Sequence, residues 1–311
     1  MSKKRYLVTG AAGFIGGAIA RQLLAQDAEV WTIDNLSTGF IENIPHGVRF
    51  IQGECQDPEV IAKLSNTRFD AILHIAGQSS GEISFDDPAY DLRTNTESTL
   101  RLIKFGLENG CDRFIYASSM SVYGDVPDVP IPETREPKPL SFYGVGKLAS
   151  EHYMRLYQSR GLKPTALRYF NVYGPFQNMK NLRQGMVSIF LAQMLKHDRI
   201  VVKGAPDRFR DFIYIDDIVN NTIKVIDEPR TIGEVFNFGT GVKTTVGQLL
   251  DMMRNESGVQ KEAVFLGTTP GDQKGIVADI SLAREIFGFE CRWSLDLGLG
   301  QMVSWAKSAK W

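Results

Sequence analysis

The stretch Arg5-Tyr-Leu-Val-Thr-Gly10-Ala-Ala-Gly13-Phe14-Ile15-Gly16 runs from apolar, strand-like residues into three regularly spaced glycines. A helical apolar pattern follows over 14–25. Glycines at such a turn let the backbone approach a pyrophosphate, whose charge then lies at the helix N-terminus. The order of strand, glycine turn and helix therefore predicts a dinucleotide-binding turn made by Gly10, Gly13, Phe14, Ile15 and Gly16.

Strand-like and helix-like segments alternate through the first half of the chain. The strand-like runs are 5–9, 28–34, 48–53, 70–76, 112–118 and 163–170, and the helical patterns lie near 14–25, 57–64, 94–109 and 142–160. Nearly all-apolar strands separated by helices are typical of a parallel sheet that is covered on both faces. We therefore predict an α/β protein with a doubly wound parallel sheet of the Rossmann type, whose ligand lies beyond the carboxyl ends of the strands.

The pattern changes after residue 171. Short strand-like runs at 200–203 and 234–238 are mixed with helical patterns near 184–196, 217–226, 245–255, 281–287 and 295–308. We predict a dinucleotide-binding domain over 1–171, completed by a return strand near 234–238, and a smaller mixed α/β substrate domain over 172–311. No linker-like composition separates the two, so they should pack together.

Composition excludes several classes of protein. Hydrophobic residues make up 43% and charged residues 23%, as in ordinary soluble domains. The net charge of -1 provides no excess of positive charge for binding nucleic acid or an anionic membrane. No apolar run approaches membrane-spanning length. The 3 cysteines are scattered, which suits a reducing cytoplasm, and the 4 histidines show no ligand spacing, so no metal is expected.

Small and acidic residues stand at the predicted carboxyl edge of the sheet. A carboxylate at Asp34, at the end of the second strand, would bind adenosine ribose hydroxyls and repel a 2′-phosphate, which favours NAD over NADP. The alternative is a carboxylate that only caps the following turn. Ala76 and Gly77 follow the fourth strand and would allow close approach of a cofactor. His74 is expected to be a packed strand residue.

Tyr143 and Lys147 stand four residues apart in Ser141-Phe-Tyr-Gly-Val-Gly-Lys147, which places them on one helix face. A tyrosine acts as a base at neutral pH only if its pKa falls by roughly 3 units from about 10, which requires about 4 kcal/mol. One positive charge at about 4 Å supplies a similar energy at an effective dielectric constant near 20. The alternative is a solvated helix face.

Ser119 ends the fifth predicted strand. A hydroxyl there can reach the same substrate oxygen as the phenol, as a general base and its helper require. Serines are also common in turns, so Ser119 is a candidate catalytic residue only in combination with Tyr143.

Together these motifs resemble the extended short-chain dehydrogenase/reductase family, most closely its NAD-dependent nucleotide-sugar epimerase branch. The resemblance covers almost the whole chain and is carried by 10–16, Asp34-Asn35, 74–77, Asn95, Ser119, Tyr143, Lys147, 168–171, 210–212 and 270–272. It implies NAD as a tightly held cofactor and a nucleotide-diphosphate sugar as substrate. Tyr143 would take the proton of the sugar 4-hydroxyl, Lys147 would lower its pKa and bind the nicotinamide ribose, and Ser119 would bind the 4-oxygen.

The resemblance also implies further site residues. Cofactor-binding roles fall on Asn35, Glu54, Cys55 and Asn95, with Glu54-Cys55 standing where the family prefers aspartate and a hydrophobic residue. Substrate-binding roles fall on Asn171, Arg210 and Asp272, the first two at the diphosphate. An alternative for Arg210 is a surface ion pair with Asp211. The pair Asp216-Asp217 is expected to cap a helix and not to form an acid/base dyad.

Some positions depart from the family pattern. Thr269 stands where these epimerases commonly carry a second diphosphate-binding arginine, and losing such a contact costs roughly 1.5–3 kcal/mol. Arg183, Lys180 or Lys274 could compensate, or the nucleotide is not UDP. Met120-Ser121 replaces the Asp-Glu pair that dehydratases of the family use, which disfavours dehydration.

The leading hypothesis is epimerisation at C4 of a nucleotide-diphosphate sugar, most simply a UDP-hexose, through a transient 4-keto intermediate. The alternatives are a nucleotide-sugar 4-dehydrogenase or reductase that releases the keto sugar, and a non-catalytic NAD-binding sensor. A homodimer is expected, because in relatives the helices corresponding to 94–109 and 142–160 form the interface. Phe105, Leu148, Met154 and Tyr157 could supply its apolar contacts, although packing within one chain explains them almost as well.

Overall fold

The computed structural model describes residues 3–268, 270–271, 273–309 and 311. The strands are β1 (Arg5–Thr9), β2 (Glu29–Asp34), β3 (Arg49–Gln52), β4 (Ala71–His74), β5 (Arg113–Ser119), β6 (Lys163–Tyr169), β7 (Asn171–Tyr173), β8 (Ile200–Lys203), β9 (Phe209–Arg210), β10 (Phe212–Tyr214), β11 (Val235–Phe238), β12 (Thr244–Thr245) and β13 (Ala263–Leu266). The helices are α1 (Phe14–Ala25), α2 (Pro58–Ala62), α3 (Pro88–Leu92), α4 (Ser98–Glu108), α5 (Phe142–Tyr157), α6 (Met186–Lys196), α7 (Ile215–Ile226), α8 (Val246–Ser257), α9 (Ser281–Phe287) and α10 (Leu295–Ser308).

Seven strands form one sheet in the order β11-β6-β5-β4-β1-β2-β3, and every pairing within it is parallel. The chain starts in the middle at β1, moves outward to β3, then returns through β4 to the other edge. This reversal confirms the predicted doubly wound sheet, in which the ligand site lies where the strand order changes direction.

Each face of the sheet packs against its own helical layer. Successive residues of β1 alternate between the layers: Tyr6 and Val8 belong to one buried cluster and Leu7 to the other. The layer reached by Leu7 includes apolar residues of α2, α4 and α5. The layer reached by Tyr6 and Val8 includes apolar residues of α1, α6, α7, α8 and α10. Burial on both faces explains why the strands read as continuous apolar runs.

The helix predicted over 94–109 begins earlier than the sequence pattern indicated. Asp87 caps α3 by accepting the Tyr90 N–H, a π-helical turn follows over Arg93–Glu97, and α4 continues from it. Asn95 is buried inside the π-helical turn. A π-turn shifts the helical period by part of a turn, so the apolar spacing before it no longer matches that of α4.

The second half of the chain adds a strand to the main sheet and a helix to the layer that Tyr6 and Val8 contact, and it also forms structure of its own. Val235–Phe238 pairs with β6, and α7 packs against α1. Beyond the sheet, short strands pair as β7 with β10, β9 with β12, and β8 with β13. None of the helices in the described part of the chain is long and apolar enough to cross a membrane.

The prediction that Asp216-Asp217 caps a helix is wrong in its detail. Tyr214 holds the N-cap position of α7 without a side-chain hydrogen bond, and both aspartates lie in the first turn. The Asp217 carboxylate instead accepts the N–H groups of Arg292 (3.0 Å) and Trp293 (3.1 Å). Its position satisfies the backbone of a distant segment, a partner that local sequence does not reveal.

Candidate active site

A cleft of about 350 Å³ runs along the carboxyl ends of the parallel strands. Its lining includes fifteen of the residues proposed from the sequence: Gly10, Gly13, Phe14, Ile15, Gly16, Asp34, Asn35, Glu54, Cys55, Ala76, Gly77, Ser119, Tyr143, Lys147 and Asn171. The sheet brings these residues together from separate loops because parallel strands end at a common edge.

The glycine turn is shaped for close backbone contact. Gly10 has φ +78°, and a Cβ on Gly16 would lie 2.3 Å from the Gly10 carbonyl oxygen. No side chain of the described residues caps the N-terminus of α1, whose first residues line the cleft. Uncapped N–H groups and the positive helix end suit a pyrophosphate, so this turn fits a dinucleotide.

Asp34 caps the turn that follows β2, and its role in binding the adenosine ribose stays a prediction. Its carboxylate accepts the N–H groups of Ala12 (2.9 Å) and Leu36 (2.8 Å), which fastens the glycine turn to the end of β2. Burial raises the pKa of Asp34, while these two hydrogen bonds act to lower it. A carboxylate has about four acceptor sites, so oxygen lone pairs remain for ribose hydroxyls in the cleft.

Asn35 and Glu54 form the adjoining wall. The Asn35 amide donates to Glu54 Oε1 (3.0 Å) and to the Tyr90 hydroxyl (3.2 Å). Cys55 is buried beside Glu54, and burial raises the pKa of its thiol. The predicted adenosine-side residues therefore occupy one connected patch.

Asn95 does not line the cleft but lies behind Gly77. Its amide donates to the Gln78 carbonyl (2.9 Å) and to Asp91 Oδ1 (3.2 Å). Asp91 also accepts from the Gln78 amide (2.8 Å). A Cβ on Gly77 would lie 2.4 Å from Asn95 Oδ1, so the contact requires glycine there. Asn95 thus shapes the cleft wall through Gly77 and Gln78, and the cofactor-binding role expected for it stays a prediction.

His74 is a core residue, as expected. Its ring contacts the Thr9 hydroxyl through Nδ1 (2.8 Å) and the Ser98 hydroxyl through Nε2 (3.0 Å). Burial lowers its pKa to about 3, so the imidazole is neutral at physiological pH.

Tyr143 and Lys147 lie on the face of α5 that meets the cleft. Ser141 caps this helix, its Oγ accepting the Gly144 N–H (3.1 Å). The Lys147 ammonium donates to the Ala117 carbonyl (2.8 Å) and lies 5.6 Å from the centre of the Tyr143 ring. Both side chains are buried, so the solvated-face alternative is wrong.

The acid–base properties of this pair differ from the expectation. Burial raises the pKa of Tyr143 to about 12; a hydrogen bond with Ser119 acts to lower it and the charge of Asp91 to raise it. Burial lowers the pKa of Lys147 to about 8, against the opposing influence of Asp91 and Glu151. Within the protein alone, desolvation of the phenolate is therefore the largest influence on the pKa of Tyr143.

Ser119 stands at the end of β5 and caps the short turn Met120–Val122. Its Oγ accepts the Ser121 N–H (3.1 Å) and donates to Ser121 Oγ (3.2 Å). Ser121 also lines the cleft. The site therefore contains two neighbouring hydroxyls beside the phenol.

A buried ion pair between Glu151 and Arg168 holds the helix of the site against the sheet. Glu151, on α5, accepts two hydrogen bonds from Arg168 of β6 (3.0 and 2.7 Å) and one from the Ser118 hydroxyl (2.5 Å). These contacts tie α5 to two neighbouring strands, which positions Tyr143 and Lys147 relative to Ser119.

The proposed substrate residues are only partly assembled in the cleft. Asn171 lines it. Arg210 is buried outside its lining and donates to the carbonyls of Gln273 (2.8 Å) and Lys274 (3.3 Å), so the surface ion pair considered for it is wrong. Asp272 and Thr269 lie outside the described residues. Of the cations considered as compensating for Thr269, Arg183 is ion-paired with Glu82 and Asp86.

Sequence reasoning missed several residues of the cleft. The segment between β7 and α6 supplies Gln177 and Gln184, and the turns after β5 and β2 supply Ser121 and Thr38. Asn178 donates to the Thr38 carbonyl (3.0 Å), and Gln184 donates to the Ser79 hydroxyl, so this segment crosses from one wall to the other. The only local signal was the polar composition of these loops, which does not distinguish a cleft wall from a solvated surface.

Comparison with known proteins identifies the family. Residues 6–239 match the NAD dependent epimerase/dehydratase family. The UDP-glucose 4-epimerase of Mycolicibacterium smegmatis is 32% identical over 311 residues, covering 98% of this chain and 99% of that protein.

Two solved structures are similar over their whole length. UDP-glucose 4-epimerase of Thermotoga maritima, solved with UDP-glucose, superimposes with a TM-score of 0.94 at 35% identity, covering 97% of this chain and 98% of that one. The UDP-glucose 4-epimerase of Thermus thermophilus in complex with NAD gives a TM-score of 0.92 at 32% identity, covering 98% and 100%. With the glycine turn, Asp34 and the Tyr143–Lys147 pair in one cleft, the chain belongs to the NAD dependent epimerase/dehydratase family.

Proposed function

We propose that this protein is an NAD-dependent nucleotide-sugar 4-epimerase that acts on a UDP-hexose. The observation that carries the proposal is the meeting of Ser119, Tyr143 and Lys147 with the glycine turn and Asp34 in one cleft. A sensor or scaffold needs the dinucleotide site but none of these three catalytic groups. Uridine and hexose are supported by the UDP-glucose 4-epimerases to which the chain is similar.

Bound NAD⁺ supplies a hydride acceptor and a positive charge. The glycine turn and the N-terminus of α1 would hold its pyrophosphate, and Asp34 would hold its adenosine ribose. Lys147, beside Tyr143 in the cleft, would hold the nicotinamide ribose.

Tyr143 is the base for the sugar 4-hydroxyl. Ionising a buried phenol is costly because the phenolate loses its hydration, so the positive groups around it determine whether it acts near neutral pH. Lys147 contributes one such charge, and Ser119 contributes a hydrogen bond. Tyr143 holds the proton while C4 is a ketone. It returns the proton to the 4-oxygen after the keto sugar has rotated and presents the opposite face of C4 to the hydride donor.

The test is incubation of the NAD-loaded protein with UDP-glucose, UDP-galactose and matched dTDP-, GDP- and CDP-sugars. Products are followed by NMR while nicotinamide absorbance is monitored. We expect C4 epimers to interconvert with no net change in absorbance. Tyr143→Phe should lower kcat by about 10²–10⁴-fold, the usual contribution of a general base. Tyr157→Phe, elsewhere on α5, is the matched control and should retain activity.

The same experiment separates the alternatives. Steady accumulation of reduced nicotinamide with a released keto sugar would establish a 4-dehydrogenase and overturn the epimerase. No turnover of any sugar by a protein that retains NAD would favour the sensor. Turnover by Tyr143→Phe at the rate of the unmodified enzyme would contradict the assignment of the base.

We further propose a homodimer that forms through an exposed apolar face of α5. Phe142, Val145, Tyr153 and Leu156 share that face, with Val145 52% and Leu156 62% exposed. The contacts named from sequence need correction, because Phe105 and Met154 are buried in the core and Leu148 and Tyr157 pack against it. A contiguous apolar face of this kind is typical of an interaction surface.

Val145→Glu together with Leu156→Glu should convert the dimer to a monomer, as measured by light scattering after size exclusion. Val242→Glu, at an equally exposed valine (60%) outside α5, is the control. A dimer that persists in the double variant would place the interface elsewhere.

We also propose that the protein works in a reducing compartment. All three cysteines are free, and Cys55 and Cys111 are buried. Fractionation of cells that express a tagged chain tests this, and recovery outside the cytoplasm would contradict it.

A further inference from the structure

Ser121 carries a hydroxyl that has no role in the proposed reaction, although the residue lines the cleft. It lines the cleft with Ser119 and Tyr143 and hydrogen-bonds to Ser119 through both its N–H and its Oγ. The turn that carries it lies directly against α5, since a Cβ on Gly144 would come within 2.5 Å of the Ser121 carbonyl oxygen. The backbone of Ser121 therefore packs against Gly144, the residue that follows Tyr143.

The hydrogen-bonding capacity of Ser119 makes this contact consequential. A serine hydroxyl has one proton and two lone pairs. One lone pair accepts the Ser121 N–H, and the proton is donated to Ser121 Oγ. Tyr143 lines the same cleft, and hydrogen bonding to Ser119 acts to lower the pKa of its phenol. The single Ser119 proton is held by Ser121 Oγ, and the phenol oxygen is a second acceptor for it in the same cleft.

We propose that Ser121 is a positioning residue that draws the Ser119 proton away from Tyr143 and so determines the pH at which the base becomes active. The inference rests on the proposed role of Tyr143 as the base. A hydrogen bond donated by Ser119 stabilises the phenolate and not the neutral phenol. An acceptor that competes for that proton therefore keeps the phenol protonated to higher pH.

A substitution of Ser121 leaves the other groups that face Tyr143 unchanged. They are Lys147 on α5, Asp91 on α3 and Tyr116 on β5. Lys147 favours the phenolate, whereas Asp91 opposes it. A change at Ser121 leaves these charges in place, so its effect reports on the Ser119 hydrogen bond.

The test compares the pH dependence of kcat/KM for UDP-glucose in the NAD-loaded enzyme and in its Ser121→Ala and Ser121→Thr variants. Removing the acceptor should lower the apparent pKa of the acid limb by about one unit, the value of one hydrogen bond to a charged group. Below that limb, kcat/KM should then rise by about tenfold. Ser121→Thr keeps the hydroxyl and should retain the original limb. An acid limb that stays in place or rises in Ser121→Ala overturns the proposal.

A double-mutant cycle shows whether the effect passes through Ser119. In a Ser119→Ala background, the further change Ser121→Ala should leave the acid limb where it is. A shift that persists without Ser119 contradicts the proposed route. NAD content and thermal melting establish that each variant is folded, and Ser121→Cys, whose thiol is a weak acceptor, is the second variant if Ser121→Ala fails to fold.

Ultraviolet difference titration separates this inference from the proposed function. The ionisation of Tyr143, taken as the spectrum of the enzyme minus that of Tyr143→Phe, is measured without any sugar. A lower Tyr143 pKa in Ser121→Ala supports the inference even where no sugar is turned over. An unchanged Tyr143 pKa overturns it even if epimerisation is established.

Discussion

Lys147 shows how a functional side chain can be costly to the fold that holds it. The side chain is buried, and its ammonium donates to a backbone carbonyl, that of Ala117. Burial lowers its pKa to about 8. The folded protein therefore releases this proton more readily than the unfolded chain does, so the charged form at neutral pH opposes folding.

Lys147→Met should increase the free energy of unfolding at pH 7 by about 2 kcal/mol while abolishing activity. The gain should shrink between pH 8 and pH 10, because the native lysine is neutral there while the unfolded one still binds a proton. Urea unfolding of the cofactor-free proteins at pH 7 and at pH 10 measures this difference in stability. Lys104→Met, at an exposed position of α4, is the control and should change stability by less than about 0.5 kcal/mol. A gain of equal size at both pH values would contradict the explanation.

At the scale of elements, α5 is positioned by a buried ion pair as well as by apolar packing. Glu151 and Arg168 are only 6% and 5% exposed and join the helix to β6, while Ser118 joins it to β5. Because Tyr143 and Lys147 are on the same helix, displacement of α5 would move both of them relative to Ser119. The strand–helix junction thus sets the geometry of the site.

Glu151→Gln should destabilise the protein by about 3–5 kcal/mol, because it leaves the Arg168 guanidinium buried without its counter-charge. The double variant Glu151→Leu with Arg168→Met should be less destabilised than Glu151→Gln. Urea unfolding measures both. Glu290→Gln, which breaks the exposed pair with Arg292, should change stability far less, because solvent screens that pair. Equal losses at the buried and exposed pairs would contradict the assigned role.

At the scale of the whole molecule, the two halves of the chain complete one another. The second half supplies β11 to the edge of the sheet and α7 to the layer over α1. The buried Arg113 of β5 donates to the carbonyl of Ile226 (2.9 Å) and the hydroxyl of Thr231 (2.9 Å), both in the second half. A boundary at residue 171 therefore marks a change of sequence pattern and not a limit of packing.

A fragment of residues 1–171 should fail to unfold cooperatively, because the absence of α7 and β11 exposes apolar surface on α1 and β6. Near-ultraviolet circular dichroism and urea titration measure this, with the full chain as reference. Adding the fragment 172–311 should restore part of the transition. A cooperative transition in the first fragment alone would show that it is an independent domain.

The fold class, the glycine turn and the Tyr143–Lys147 pair could be predicted from sequence because each depends on local spacing. Apolar periodicity reports which residues face a core, and a four-residue interval on a helix places two side chains together. The start of α3, hidden by a π-turn, and the pairing of Asp217 with the backbone at 292 and 293 had no such local signal.

The chemical properties of the site depend on contacts between distant segments. The pKa of Tyr143 follows from how deeply packing buries it, and the roles of Asn95, Asp91 and Ser121 follow from which groups the folded chain places beside them. Desolvation and hydrogen-bond competition are properties of three-dimensional surroundings, so residue types and spacing predict which groups react, while the packed structure sets the pH at which they do.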